Sequence, residues 1–310
     1  MRGTWTGRGN RGSWWLTLAG AATIAVLGVA CDNSPAGPAL TVPDAASAGR
    51  GAGDEGSAKA PKVQRVYGRA VRVGHGSARS YLDFVHGKPI ELGITLSEQA
   101  LDGLPTLGAG MSFEYLLPLP HGNPTQYQFV ELDWNPGGHP PPMVYTVPHF
   151  DFHFYEISLA ERNAIVPSDP AYAAKAANLP AVQFRTPGWF PPPGPAVDNA
   201  VPFMGLHWIN PASPEFQGLG FSRTFIIGSW DGHFTFYEPM VTRAYLLGKP
   251  NDVAALPVAQ SYERAGWYPG AYRVSWDAAS HEWNVAITQL FPIGRVHDLN
   301  DDGGGDDDAH

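Results

Sequence analysis

Beyond residue 60, apolar runs rich in β-branched and aromatic residues alternate with turns rich in Gly, Pro, Asn and Asp. This alternation is typical of antiparallel strands joined by hairpins. It predicts strands at 63–73, 80–85, 112–117, 127–132, 144–155, 203–209, 223–228, 233–237, 271–276 and 283–290. We therefore predict a mainly β fold, a single antiparallel β-barrel or sandwich-like domain over 61–297 with a few short helical insertions.

Local motifs add hairpins and helix starts to this outline. The Asp-Gly pair at 231–232 predicts a tight hairpin, and the polar stretch at 277–280 predicts the turn of the final hairpin. Segments 95–98 and 158–161 match the capping box, in which a hydroxyl and a carboxylate satisfy the free amides of a helix start. The Asp-Pro pair at 169–170 predicts a third short helix.

Composition supports a compact β domain. The chain holds 36 Gly and 30 Pro, which disfavours long helices. Its 10 Trp, 12 Tyr and 15 Phe are more than a disordered chain carries. The single cysteine, Cys31, excludes an intrachain disulfide framework and any cysteine-rich metal site. The sequence has no phosphate-binding loop, no HExxH and no GxSxG motif.

The N-terminus has the organisation of a secretory leader. Three arginines precede a mostly apolar stretch at 14–30, which ends in small residues before Cys31. This order predicts a lipoprotein signal peptide over 1–30, with Cys31 as the lipidation site. An uncleaved single-span anchor is the alternative, although the stretch is short for crossing a bilayer. Either arrangement predicts an extracytoplasmic protein, anchored to the bacterial cell envelope.

Two terminal segments flank the predicted domain. Residues 31–60 lack aromatics and apolar periodicity, and they predict a flexible Ala/Gly/Ser/Pro tether. Residues 298–310 are rich in aspartate and predict an acidic disordered tail. The net charge of −9 argues against nucleic acid as a partner, because no basic run is present to neutralise phosphates.

Polar chemistry concentrates in the segment 148–155, PHFDFHFY. On a strand, alternate side chains point to opposite faces, so the phenylalanines would fill the core while His149, Asp151 and His153 line the other face. Imidazole and carboxylate groups suit Zn, Fe, Mn or Cu. Strand residues two apart are separated by about 6.6 Å, so Asp151 could share one ion with either histidine. The alternative is a polar barrel lumen or outer face held by structural hydrogen bonds.

Further ligand-type residues lie elsewhere in apolar surroundings. His207 lies in a strand-like run, and Glu238 lies among aromatics beside a proline. His139 lies in the turn-rich loop that leads into the histidine strand. We predict metal ligation by His149, Asp151, His153, His207 and Glu238. Glu238 and Asp151 are the candidates for a catalytic acid or base.

Four motifs together carry a resemblance to a known family. These are DWNPGGHPP at 133–141, PHFDFHFY at 148–155, MGLHW at 204–208 and the hairpin GSWDGHFTFYEPM at 228–240. The set resembles an uncharacterised family of secreted and lipid-anchored bacterial proteins, related to a domain under the control of an extracytoplasmic-stress sigma factor. The resemblance extends over most of 66–290 and implies a β-rich fold and an envelope setting, with no established activity. The shared signatures contain His139, His149, Asp151, His153, His207 and Glu238.

Three functions are compatible with these residues. The first is an envelope lipoprotein whose β-rich domain binds a transition metal. The second is a metal-dependent hydrolase, lyase or cyclase at the same site, which would need an open coordination position. The third is a non-enzymatic assembly or binding module, with a hydrogen-bonded polar core in place of a metal and with Trp189 and Phe190 in a contact loop. The predicted partners are the membrane, through the lipid anchor, and a second copy of the chain. The ligand stays unspecified.

Overall fold

The computed structural model describes residues 61–106 and 111–294. The predicted leader, tether and acidic tail, together with Cys31, lie outside the described residues. The described strands, in chain order, are β1 (Gln64–Tyr67), β2 (Val71–Val73), β3 (Gly76–Val85), β4 (Lys88–Ser97), β5 (Phe113–Leu117), β6 (Phe129–Asn135), β7 (His149–Tyr155), β8 (Ala200–Val201), β9 (Gly205–Trp208), β10 (Arg223–Trp230), β11 (His233–Thr242), β12 (Asn251–Ala255), β13 (Gly266–Tyr268), β14 (Ala271–Asp277), β15 (Glu282–Thr288) and β16 (Phe291–Ile293).

Two large antiparallel sheets form the domain. The first has the order β1-β3-β4-β15-β14-β12, with β2 also paired to β3. The second has the order β5-β6-β7-β11-β10-β9-β8. Strands β13 and β16 make a separate small ladder. The predicted mainly β, sandwich-like fold is confirmed.

The hydrophobic core lies between the two sheets. Its main cluster joins Leu92 and Ile94 of the first sheet to Phe150, Phe152 and Phe154 of the second, all with no exposed surface. The sheets therefore bury one face each against the other, as in a sandwich. Every residue of β7 is buried, so the opposite face of this strand is covered as well.

Short helices and long connections cover that opposite face of the second sheet. The covering helices include α1 (Leu159–Asn163) and α2 (Tyr172–Ala177), whereas α3 (Arg243–Leu247) places Leu246 in the core between the sheets. One apolar cluster under this cover joins Tyr155 and Phe236 to Ile165 and Tyr172. As a result, polar side chains on the outer face of β7 are held inside the molecule. Among the described residues, no helix combines the length and apolar character that a membrane crossing requires.

Several element predictions agree with the structure and several do not. The hairpin at 231–232 is confirmed: Trp230 pairs with His233, and Asp231 and Gly232 adopt φ values of 48° and 85°. Five described strands were not predicted: β4, β8, β12, β13 and β16. The predicted capping box at 95–98 is wrong, because Thr95 lies inside β4, where it pairs with β3 and β15. Strand pairing on both sides extends β4 to Ser97, and a short 3₁₀ helix follows at Glu98–Leu101 without a side-chain cap.

The helix starts at 158–161 and 169–170 have different outcomes. At α1, Ser158 accepts from the backbone N–H of Glu161 and the Glu161 carboxylate accepts from the backbone N–H of Ser158, so the capping box is confirmed. At α2 the helix starts later than predicted, with Ala171 as its N-cap, and Asp169 accepts from the Ala171 N–H.

We expect Ser158→Ala to lower the free energy of unfolding by about 1 kcal/mol, because the backbone N–H of Glu161 loses its acceptor, the Ser158 hydroxyl. Urea unfolding of the wild type and the variant measures the difference. Ser280→Ala is the matched control, since Ser280 is an exposed turn residue. An equal, negligible cost in both variants would show that the cap contributes nothing.

Candidate metal centres

Strand register assembles a buried polar layer on the second sheet. Strand β7 divides as its alternation predicts, with its phenylalanines in the core and His149, Asp151 and His153 on the other face. Strand β6 repeats the pattern, and the ladder places three polar pairs side by side: Glu131 with His153, Asp133 with Asp151 and Asn135 with His149. We call these six residues, together with His207 and Glu238, the polar layer.

His207 and Glu238 reach this layer from the neighbouring strands. Tyr237 pairs with Phe154 on the core face, so the next residue of β11, Glu238, points to the polar face. Glu238 lies opposite Ile226 of β10, and His207 of β9 lies opposite Gly228 of the same strand. The side chains of four strands thus converge on one buried surface.

Three of the predicted ligands converge in what we call the inner centre: His153, His207 and Glu238. Nε2 of His153 lies 3.5 Å from Oε1 of Glu238, and Nε2 of His207 lies 3.7 Å from Oε2 of Glu238. One ligand atom from each residue lies within 4.8 Å of the others. His153 is fully buried and Glu238 nearly so, while His207 keeps a small exposed fraction.

Asp133 supports the inner centre from behind. Its Oδ2 lies 3.5 Å from Nδ1 of His153, the ring nitrogen that faces away from Glu238. Asp133, Glu131 and His153 also form a compact group of their own that could hold an ion. Neither carboxylate was predicted: the predicted strand ended at residue 132, before Asp133, and Glu131 inside that strand was not selected as a ligand. The alternation of Val130, Leu132 and Trp134 with polar residues was the signal that would have extended it.

A buried arginine contacts the carboxylates of β5 and β6. Arg162 of α1 extends over β6, where its guanidinium lies 2.7 Å from Oε1 of Glu131 and 3.0 Å from Oε2 of Glu114. Burial raises the pKa of Glu131 to about 7, and the Arg162 charge opposes part of that rise. Arg162 was also absent from the predicted residues, since a short helix gives no sequence signal for which strand it covers.

The remaining predicted ligands form a second group, which we call the rim centre: His139, His149 and Asp151. Nε2 of His149 lies 3.2 Å from Oδ1 of Asp151, and Nε2 of His139 lies 3.4 Å from Oδ2. One ligand atom from each residue lies within 4.8 Å of the others. The five predicted metal ligands therefore divide between two groups, and His139 joins the second.

The loop between β6 and β7 returns His139 to its own strand. Gly138 adopts φ +68°, and a Cβ at this position would lie 2.1 Å from the carbonyl oxygen of Tyr145. The His139 N–H donates to that same carbonyl at 3.1 Å. Only glycine allows this approach, so Gly138 is what permits the loop to fold back over Asp151.

Burial sets the protonation of the inner centre. It lowers the pKa of His153 to about 3 and that of His207 to about 4, so both imidazoles are neutral at pH 7. Burial also raises the pKa of Glu238 well above its ordinary value, and the nearby charges of Asp151 and Asp133 add to the rise. The centre thus offers neutral imidazoles and a carboxylate that lacks a compensating cation.

The rim centre has the opposite electrostatics. Burial alone would raise the pKa of Asp151, but His149 and His139 hold it well below its ordinary range. Burial opposes protonation of His139, yet its contact with Asp151 raises the pKa of this imidazole above its ordinary value. Asp151 is therefore an ionised carboxylate at neutral pH, with imidazoles on two sides.

Comparison with known proteins assigns no activity. Residues 85–134 match the TTHB210-like family, described as "Hypothetical protein TTHB210". The match covers a minor part of the chain, from the end of β3 to Trp134 in β6, and includes Glu131 and Asp133 but no residue of either centre. No curated protein and no solved structure matches the chain.

Proposed function

We propose that this domain binds a transition-metal ion at the inner centre, with His153, His207 and Glu238 as ligands. Zn²⁺ is the ion to test first, because two imidazoles and one carboxylate are common zinc ligands. Fe, Mn and Cu accept the same donor types. The buried histidine and carboxylate groups that could hold such an ion are part of the structure.

The observation that carries the proposal is His153. Both of its ring nitrogens are buried, and within the described part of the chain neither has a hydrogen-bond partner. The same holds for Oε2 of Glu238, Nδ1 of His207 and both carboxylate oxygens of Asp133. Each such buried polar atom costs about 1–3 kcal/mol. A bound cation would supply the missing interaction for several of these atoms at once.

The distances between donor atoms support the same conclusion. Zinc–nitrogen and zinc–oxygen bonds of about 2.0–2.1 Å place tetrahedral ligand atoms about 3.3 Å apart. The inner centre shows 3.5 Å and 3.7 Å between its carboxylate oxygens and the two imidazole nitrogens. With Nε2 of His153 toward the ion, Nδ1–H can donate to Asp133, the carboxylate–histidine–metal arrangement of many zinc proteins.

The charge of the layer also favours a cation. Glu131, Asp133 and Glu238 are buried carboxylates, and Arg162 compensates one of them, Glu131. Buried carboxylates are normally paired or coordinate metals. A divalent ion between Glu238 and the neutral imidazoles would compensate the ionised form of Glu238, which burial otherwise disfavours.

The competing functions fit less well at this centre. A hydrogen-bonded polar core would leave its histidines and carboxylates paired, whereas the described inner-centre atoms lack partners. That alternative also placed Trp189 in a contact loop. Trp189 is instead buried and donates its indole N–H to the carbonyl of Phe225. For catalysis, Glu238 would have to act as a free acid or base, and a carboxylate that ligates the ion is not free to do so.

The cellular setting belongs to the proposal as well. The leader, the small residues before Cys31 and the tether favour a lipoprotein of the bacterial cell envelope. In that setting the domain would stand outside the cytoplasm on a tether of residues 31–60. Labelling with radioactive palmitate in a bacterial host tests the anchor: the wild type should incorporate the label and Cys31→Ala should not.

Isothermal titration calorimetry of zinc binding to metal-stripped protein tests the inner centre. We expect His207→Ala to remove one tightly bound zinc ion per chain, because the variant deletes a ligand. His207 is partly exposed, so its replacement should cost little stability. Asp133→Asn should retain the ion with about 10–100-fold weaker affinity, since it alters the group that orients His153.

The matched control is His121→Ala, since His121 lies exposed in a turn outside the polar layer. It should bind as much zinc as the wild type, with the same affinity. Equal zinc stoichiometry in His207→Ala and His121→Ala would contradict the proposal.

A further inference from the structure

The rim centre has a feature that the inner centre lacks: its histidines have fixed tautomers. Nδ1 of His149 lies 2.7 Å from the carbonyl oxygen of Val147, and Nδ1 of His139 lies 2.8 Å from that of Pro140. A carbonyl oxygen can only accept, so each Nδ1 carries the proton. Both Nε2 atoms are then the ones that face Asp151.

This arrangement leaves hydrogen-bond acceptors facing each other. In neutral histidines with Nδ1 protonated, each Nε2 presents a lone pair toward an oxygen of the Asp151 carboxylate. Nε2 of His149 and Oδ1 of Asp151 lie 3.2 Å apart, and neither has a hydrogen-bond partner among the described residues. Two acceptors at this separation repel unless a proton or a metal ion lies between them.

The surrounding contacts are those of ligands held in place. Metal-binding histidines commonly donate their second ring N–H to a backbone carbonyl, as both histidines do here. Ligating carboxylates are in turn hydrogen-bonded, and the Asn135 amide donates to Oδ2 of Asp151 at 2.7 Å. The supporting contacts therefore exist for all three members of the rim centre.

Exposure differs sharply across the rim centre. The side chain of His149 is 0% exposed and that of Asp151 is 5% exposed, whereas that of His139 is 31% exposed. Phe221 packs edge-on against His149, and Tyr145 packs against His139. The group is therefore closed by β7 and aromatic rings on its inner side and borders solvent on the side of His139.

We propose that His139, His149 and Asp151 form a second metal site, which holds its ion with three protein ligands and leaves one coordination position for water or a small anion. Three protein ligands with an open fourth position are the arrangement in which zinc exchanges ligands. The two centres share no residue, and adjacent members of the row on β7 are separated by about 6.6 Å, so each ion would have its own ligands.

Zinc content of the wild type, His139→Ala and His207→Ala, measured after dialysis, tests the second site independently of the first. We expect two ions in the wild type and one in each variant. His139 is partly exposed, so its removal should leave the metal-free fold intact, which equal thermal unfolding of the metal-free proteins checks. His121→Ala should again bind as the wild type does.

The outcomes separate the two proposals. Unchanged zinc content in His139→Ala would overturn the rim site, and it would favour a proton between the histidines and Asp151. Loss of both ions in His139→Ala would overturn the independence of the rim centre from the inner centre. Loss of one ion in His139→Ala with unchanged content in His207→Ala would support the rim site and overturn the inner one.

The open position is tested with Co²⁺ and azide. In His207→Ala the rim centre is the site expected to hold Co²⁺, and added azide should shift the visible absorption bands of that ion. In His139→Ala, loaded with Co²⁺ at the inner centre, azide should shift the spectrum much less, because His153, Glu238 and His207 are 0%, 2% and 16% exposed and restrict access to that ion. A Co²⁺ spectrum of His207→Ala that does not respond to azide would overturn the open coordination position.

Discussion

Replacing Arg162 with methionine should lower the free energy of unfolding by about 3–5 kcal/mol at pH 8, the cost of leaving a buried charge without its partner. The Arg162 side chain is 6% exposed and that of Glu131 is 0% exposed, and their contact measures 2.7 Å. Without the guanidinium, Glu131 would either remain as an unpaired carboxylate or take up a proton. Methionine preserves most of the apolar stem, so the loss reports the charge.

The pH dependence of this loss has a definite sign. The pKa of Glu131 is raised to about 7 even with Arg162 present, and removal of the cation would raise it further. Below that pKa the carboxyl is protonated and the missing cation matters less. The cost of Arg162→Met should therefore be smaller at pH 5.5 than at pH 8, as measured by denaturant unfolding at both values.

Two comparisons make the Arg162 prediction specific. Arg79→Met removes a partly exposed ion pair with Glu282 and should cost at most about 1 kcal/mol. Adding Glu131→Gln to Arg162→Met should recover part of the loss, because it removes the unpaired charge. Similar costs for Arg162→Met and Arg79→Met would show that the buried pair contributes no more than a surface pair.

Zinc bound at the inner centre should by itself stabilise the protein by about 4 kcal/mol when the free zinc concentration is 1,000-fold above the dissociation constant of that site. At a fixed zinc concentration we expect this stabilisation to increase from pH 6 to pH 7.5. The pKa of Glu238 is raised, so at the lower pH a proton must leave the carboxyl before the ion binds. Thermal unfolding with and without zinc at each pH measures the effect.

The histidines of the inner centre add little to that pH dependence. With pKa values of about 3 and 4, His153 and His207 are already neutral at pH 6 in the folded protein. An imidazole-controlled site would instead lose its pH dependence above the ordinary histidine pKa of about 6.5. In His207→Ala the zinc stabilisation should fall to the part contributed by the rim centre, and a stabilisation equal to that of the wild type at both pH values would count against the inner centre.

The comparison of sequence with structure is most instructive on β6 and β7. The alternation of phenylalanine with His149, Asp151 and His153 predicted a divided strand, because a strand has a two-residue period whatever it pairs with. In β6 the predicted strand ended at residue 132, because Asp133 and the residues after it were assigned to the turn-rich loop before β7. That assignment removed Asp133 from the predicted site, whereas Glu131 lay inside the predicted strand and was not selected as a ligand.

The grouping of the five predicted ligands depended on information that one strand cannot contain, and the sequence left open which of them share an ion. His149 and Asp151 belong with His139, and His153 belongs with His207 and Glu238. The division follows from how β9, β10 and β11 align beside β7, and from the loop that Gly138 allows to fold back. Local periodicity predicts neither the register between strands nor the path of a loop.

The sequence by itself determined the mainly β class, the divided character of β7 and the types of residue that can bind a metal. Each of these depends on local properties: side-chain period, turn chemistry and the donor atoms of histidine and carboxylate. Tertiary structure alone decided that the polar layer is buried, that its ligand-type residues divide between two centres, that Asp133 belongs to it, and that Arg162 contacts it. Those facts arise from packing between segments far apart in the chain, where burial removes water and makes every unpartnered polar atom costly.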